Sequence, residues 1–189
     1  MVPVLVLFAV GQVDRIAVWQ SPETLWTAAL NANPDDPRVQ LKTGRVRLAH
    51  QPAEALRLSE DAWSHPDTRI QREGHELAAR ALLLLPNVAH AAIRHHLTLA
   101  ADMDDPEAGW ACAARCVWDE TASNRWQMCQ TAVNREAATG DVYNTMGVIR
   151  ASEQDLLGAQ DWFALAVQTE PHRSEFQDNL AKADRLLKR

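Results

Sequence analysis

The chain has 189 residues, 47% of them hydrophobic and 23% charged, and carries a net charge of −6. It is long enough to build its own core and too apolar to stay disordered; its acidic balance, with no Lys- or Arg-rich run, excludes the concentrated basic face that a nucleic-acid partner requires. With only seven glycines, abundant Ala and Leu, and few β-branched runs beyond the first residues, the composition predicts an all-α fold.

Residues 1–20 are read as an apolar N-terminal helix. Val2 to Val10 is apolar apart from Pro3, shorter than the roughly 20 residues that a membrane-spanning helix needs. It lacks the basic start and small-residue cleavage site of a signal peptide. Three readings stay open: the end of a transmembrane segment, a short membrane anchor, or an apolar helix packed on the first helical pair. Ser21 is a good N-cap, Pro22 suits the first helical position and Glu23 favours a helix N-terminus. Leu25, Trp26, Ala29 and Leu30 make the apolar stripe of that helix, and Pro34 and Pro37 end it.

Helical pairs follow. From Pro37 to Pro66, Val39, Leu41, Gly44, Val46 and Leu48 mark a first helix. Gln51-Pro52 is the turn, and Ala55, Leu58, Ala62 and Trp63 mark a second helix. From Asp67 to Asp105, Ile70, Gly74, Leu77, Ala78, Ala81, Leu82 and Leu85 share one face, Pro86-Asn87 breaks the chain, and Ala89, Ala92, Ile93, Leu97 and Ala100 share another. From Pro106 to Thr139, Trp110, Ala113, Ala114 and Val117 precede Trp126, Cys129, Ala132 and Val133. From Gly140 to Pro171, Val142, Met146 and Ile149 give one helix and Leu157, Ala159, Phe163, Ala166 and Val167 the next. Here small Gly147 and Ala159 are expected to face each other, and Pro171 stops the chain. Ser174 is expected to cap a last helix over 174–189, with Phe176, Leu180, Ala183, Leu186 and Leu187 on one face and basic residues at its C-terminal end.

In the Gly140–Pro171 stretch, Tyr143, Met146-Gly147, Ala159, Phe163, Ala166 and Pro171 fall at the offsets of one tetratricopeptide (TPR) unit, which this stretch resembles: a helix–turn–helix of about 34 residues. Such a unit cannot bury its apolar face alone, so the resemblance implies neighbours. The implied fold is a right-handed α-solenoid of TPR-like helix–turn–helix repeats over 21–173 with a terminal capping helix over 174–189. In that family the first helices of successive repeats line a concave groove that takes an extended peptide or a partner helix. Carried onto this chain, the groove candidates are Arg38, Leu41 and Arg45, and Asp141, Asn144, Val148 and Ser152. The N-terminal junction is similar to that of bacterial membrane mannosyltransferase-like proteins with TPR tails, through Arg15, Trp19, Ser21, Leu25-Trp26, Asn33-Pro34, Arg38 and Gly44. The membrane catalytic portion of such proteins has no counterpart here, so no transferase activity is carried over.

Little in the chain points to chemistry. His90, His95 and His96 cluster, but the five-residue spacing from His90 to His95 is not that of a helical metal pair. Asp102, Asp104 and Asp105 resemble half a calcium loop without its glycine or distal glutamate. Cys112, Cys116 and Cys129 are an odd set, read as buried small residues in a reducing compartment rather than a disulfide framework. Most of the seven tryptophans fall at packing positions; Trp118 and Trp126 flank a turn and are expected to be partly exposed. No phosphate loop, nucleophile elbow or HExxH motif occurs. The expected function is therefore a protein–protein interaction scaffold, not an enzyme, with no cofactor, no metal and a protein or peptide as partner. The alternative is the C-terminal repeat portion of a polytopic membrane glycosyltransferase-like protein that recruits acceptors. The expected location is at a bacterial inner membrane, with association through residues 1–18; the cytoplasm is the alternative.

Overall fold

The computed structural model describes residues 18–101, 106–120 and 123–188. Within them the chain is all-helical, without a strand: α1 (Pro22–Ala32), α2 (Pro37–Arg47), α3 (Pro52–Arg57), α4 (Thr68–Leu84), α5 (His90–Ala100), α6 (Gly109–Trp118), α7 (Arg125–Asn134), α8 (Gly140–Ser152), α9 (Leu156–Thr169) and α10 (Ser174–Leu187), with 3-10 turns at Glu60–Ala62 and Pro106–Ala108. The chain divides into two compact units at His96/Leu97. No described helix is long and apolar enough to cross a membrane. The N-terminal apolar helix expected over 1–20 falls almost wholly outside the described residues, as does the acidic turn at Asp102, Asp104 and Asp105.

In the first unit, α1 starts as its residues dictate. The Ser21 hydroxyl accepts from Thr24 N–H while the Thr24 hydroxyl closes a reciprocal capping box, with Pro22 at the first position. Its apolar stripe is half-buried rather than buried. Helix α2 packs against α1, α3 and α4, around a core of Leu41, Ala55, Ala62, Ile70, Leu77 and Ala81. Gly44 lets α2 approach closely. A Cβ there would lie 2.6 Å from Leu77 Cδ2 and 3.4 Å from the Ala55 carbonyl oxygen. The second helix expected through Trp63 is shorter than its pattern. α3 ends at Arg57 and a 3-10 turn follows, because the Ser59 hydroxyl donates to the Leu56 carbonyl at 2.6 Å and diverts the helical ladder.

In the second unit, α6 packs on α7 and α8, α8 on α9, and α9 on α10. One core runs through Ala111, Cys112, Cys116, Met128, Cys129, Ala132, Val142 and Met146. What presses on Gly147 is Phe163, on the same helix as Ala159. A Cβ on it would meet the Phe163 ring at 2.5 Å, so the glycine makes room for an aromatic ring that also packs with Ala159 and Ala183. Ser174 is the first residue inside α10 rather than its cap: Arg173 precedes the helix and makes no side-chain cap, its guanidinium being drawn to Asp141 at 3.1 Å and over the Phe176 ring. The cysteine reading is also corrected: Cys116 and Cys129 form a disulfide with Cα atoms 5.1 Å apart, and Cys112 stays a buried thiol. Cys112 and Cys116 share one face of α6, but it is the antiparallel α7 that brings a third cysteine opposite the second.

A junction recurs along the chain. Where α1 gives way to α2, Gln40 Nε2 donates to the Pro34 carbonyl at 2.8 Å. Where α9 gives way to α10, Gln177 Nε2 donates to the Pro171 carbonyl at 2.7 Å. Both pairs span six residues, and they lie about four lengths of a 34-residue unit apart in sequence. At the entry to α4, Gln71 Nε2 reaches back to the Trp63 carbonyl at 2.8 Å in a shifted register. In each case a helix that has ended leaves carbonyls to satisfy, and a glutamine from the next helix satisfies one.

Candidate functional site

The residues Arg38, Leu41 and Arg45 share one face of α2, spaced at three and four residues. Asp36 caps the helix by accepting from Arg38 N–H at 2.9 Å. Asp67 caps α4 in the same way, accepting from Arg69 N–H at 3.0 Å and Ile70 N–H at 3.4 Å. The two helices thus meet along a charged seam: Arg38 with Asp67 at 3.7 Å, Arg45 with Glu73 at 3.0 Å, and Arg69 with Glu73 at 3.3 Å. Arg38, Asp67, Arg69 and Glu73, with Lys42 and a floor of Leu41 and Ile70, line a cleft of about 290 Å³, and Arg45 stands at its edge through its pair with Glu73. Leu41 is 2% exposed and belongs to the core as much as to the cleft. Both arginines are held in place by acids, yet exposed enough to exchange those partners, since exposed pairs contribute little to stability.

In the second unit, Asp141, Asn144 and Val148 face α10. Asp141 pairs with Arg173, and Asn144 Oδ1 accepts from Asn179 Nδ2 at 2.9 Å. Val148 is 46% exposed and borders a slot of about 180 Å³ with Phe163, Lys182, Ala183 and Leu186. Ser152 is not in this slot; its hydroxyl donates to its own helix at Ile149. The last helix therefore covers Asp141 and Asn144 and leaves Val148 open. Leu186, at the mouth of that slot, and Leu187 are exposed. Each unit carries its own portion of the candidate groove.

Sequence reasoning missed one constellation. His75 of α4 and His96 of α5 are both buried, their Nδ1 atoms 3.0 Å apart. Trp63 stacks on His75 and lies 4.7 Å from the His96 ring, while exposed His95 completes the group. Burial first, then the neighbouring His75 and His95, pushes His96 down to about 4. Burial and then His95 lower His75 below the usual imidazole range. Two neutral rings sharing one hydrogen bond form a packing device, one donating and one accepting. Among the described residues no group of three His, Cys, Asp or Glu is placed to hold a metal ion. The sequence marks His96 within a histidine cluster and His75 on the apolar face of α4, but their pairing joins two helices. Trp118 is 46% exposed, while Trp126 is half-buried under the Arg150 guanidinium, 4.1 Å from its ring centre.

The chain matches no protein-family model, and no curated protein is significantly similar to it in sequence.

Proposed function

We propose that each unit is a stretch of TPR-like right-handed α-solenoid and that the chain is an interaction scaffold for a protein segment. The observation that carries this reading is the packing order. α2 touches both its own hairpin partner α3 and the next first helix α4, and α6 likewise touches α7 and α8. Successive first helices side by side are what a stacked-hairpin array requires. The recurring Gln-to-carbonyl junction supports it. The α2–α4 cleft, with arginines and a lysine over an apolar floor, suits an extended segment that presents carboxylates or carbonyls along its length.

The test is a peptide library displayed on phage and selected on the purified full chain. Selected peptides are expected to compete with one another and to lose at least tenfold in affinity for Arg45→Glu, with a smaller loss for Arg45→Gln. Circular dichroism should be unchanged, since Arg45 is exposed. Unchanged affinity for Arg45→Glu would count against the cleft as the site. The second reading, a repeat tail of a membrane glycosyltransferase-like protein associated with the membrane through residues 1–18, rests on the junction whose Ser21 cap and Pro34 turn take the form the resemblance implies. A reading frame continuing upstream into further hydrophobic spans supports it; a promoter immediately upstream counts against it.

A further inference from the structure

We infer that the second unit is a redox-gated element: it holds its α6–α7–α8 face only while Cys116 and Cys129 are oxidised, so the chain works in an oxidising compartment. Helix α8 carries Val148, the candidate groove residue left open, and that part of the inference rests on the proposed interaction role. The gate itself does not.

The bond ties the last turn of α6 to the middle of α7, thirteen residues on in sequence. Both sulfurs belong to residues with no exposure, set among Met128, Ala132, Val142 and Met146. Helix α7 buries few residues fully, although Trp126 and Val133 pack partly buried against the same core. It is ten residues long, buries only Met128, Cys129 and Ala132, and has no side-chain N-cap, and a helix of that length is marginal by itself. Arg125 also ties it to α6, donating to the Cys116 and Val117 carbonyls at 2.7 and 3.2 Å, and Arg135 at its C-terminal end reaches Cys112 Sγ at 3.9 Å. Loosening α7 reaches α8 directly, because Val142 and Met146 of α8 pack in the same core as Cys129. Disulfides persist in oxidising compartments and are removed where glutathione and thioredoxin keep thiols reduced.

The chemistry balances as thiol–disulfide exchange. The two thiols of Cys116 and Cys129 lose two electrons and two protons to the disulfide of an oxidoreductase, which leaves as a dithiol; a reducing dithiol runs the step backwards. Because neither sulfur is exposed, reduction in the folded state has to wait for local opening of the α6–α7 hairpin.

Full-length chain exported to an oxidising compartment, denatured without reductant and treated with a maleimide–polyethylene glycol, is expected to take up one label, on Cys112, and three after reduction. In a Cys112→Ala background, which removes reshuffling, reduction should lower the melting temperature of the second unit by roughly 10 °C. It should also speed amide exchange across 123–140 and leave α2 and α4 unchanged. The Cys116→Ala/Cys129→Ala variant should melt like the reduced chain with or without reductant. Three labels before reduction, or melting indifferent to reductant in the Cys112→Ala background, would overturn the gate. Reductant-sensitive melting with undisturbed binding of a peptide whose affinity depends on Val148 would leave the gate standing and remove its link to the interaction face.

Discussion

Gly147→Val is expected to destabilise the second unit by about 2–3 kcal/mol. Two effects oppose each other. Glycine inside a helix costs roughly 1 kcal/mol relative to alanine, so any replacement starts with a gain in helix propensity. Against it stands the Phe163 ring, 2.5 Å from where a Cβ would sit. That ring is 5% exposed and packed with Ala159 of its own helix and Ala183 of α10, so stepping aside into the slot beside Val148 would break that packing. The steric term wins, and α8 must separate from α9. A double-mutant cycle checks this: Phe163→Leu alone should cost a few kcal/mol as a core truncation, and the pair Gly147→Val/Phe163→Leu should cost clearly less than the two added. Strict additivity of urea-unfolding energies would mean that the glycine is there for some other reason. Gly158→Ala is the control. Its nearest neighbour is the Asp155 carboxylate, which caps α9 by accepting from Gly158 N–H at 2.9 Å, so its cost should be limited to about 1 kcal/mol of lost capping, offset by the gain in helix propensity.

How far the sequence carries can be read from the same residues. The α8–α9 hairpin follows from apolar spacing and from Pro171, and the α1 start from Ser21 and Pro22, because these are local effects within one or two helical turns. Periodicity also marks Gly147 as a close-approach position, but not what approaches it, since the facing residue depends on how two helices cross. The same limit hides the site. Helical spacing places Arg38 and Arg45 on one face of α2, whereas Asp67 and Glu73, which hold them, belong to α4. His75 and His96 are 21 residues apart, and Cys116 and Cys129 thirteen; at such distances composition and spacing favour no pairing over another. The Gln-to-Pro carbonyl junction sits between these cases. It spans only six residues and recurs, yet glutamine is common on helix surfaces, and only the bonded geometry distinguishes Gln40 and Gln177 from the rest.

The buried imidazole pair makes the first unit acid-labile, and the sign follows from where the proton is welcome. An unfolded histidine takes up its proton near 6.5, whereas His96 in the fold does so only at about 4. Between those values the unfolded chain binds a proton that the folded chain refuses. Stability from this group is therefore complete above about 6.5 and lost as pH falls towards 4. Moving from pH 7.5 to 4.5 should remove roughly 2.5 kcal/mol through His96, and His75, lowered in the same direction, adds to the effect. The groups facing the His96 ring are His75 from α4, Trp63 from the preceding turn and His95 beside it. Among the described residues none of these is an acid, so none offers the imidazolium a carboxylate. Carboxylates elsewhere also titrate below pH 5, so the informative quantity is a difference. Urea-unfolding energies at the two pH values should diverge markedly in the native chain and much less in His96→Gln, whose amide preserves a partner for His75 Nδ1. A titrating ring signal supplies the second check: by NMR, His96 should protonate near 4. A midpoint near 6.5, or the same acid sensitivity in His96→Gln, would show that the pair opens to water and does not seal the α4–α5 contact.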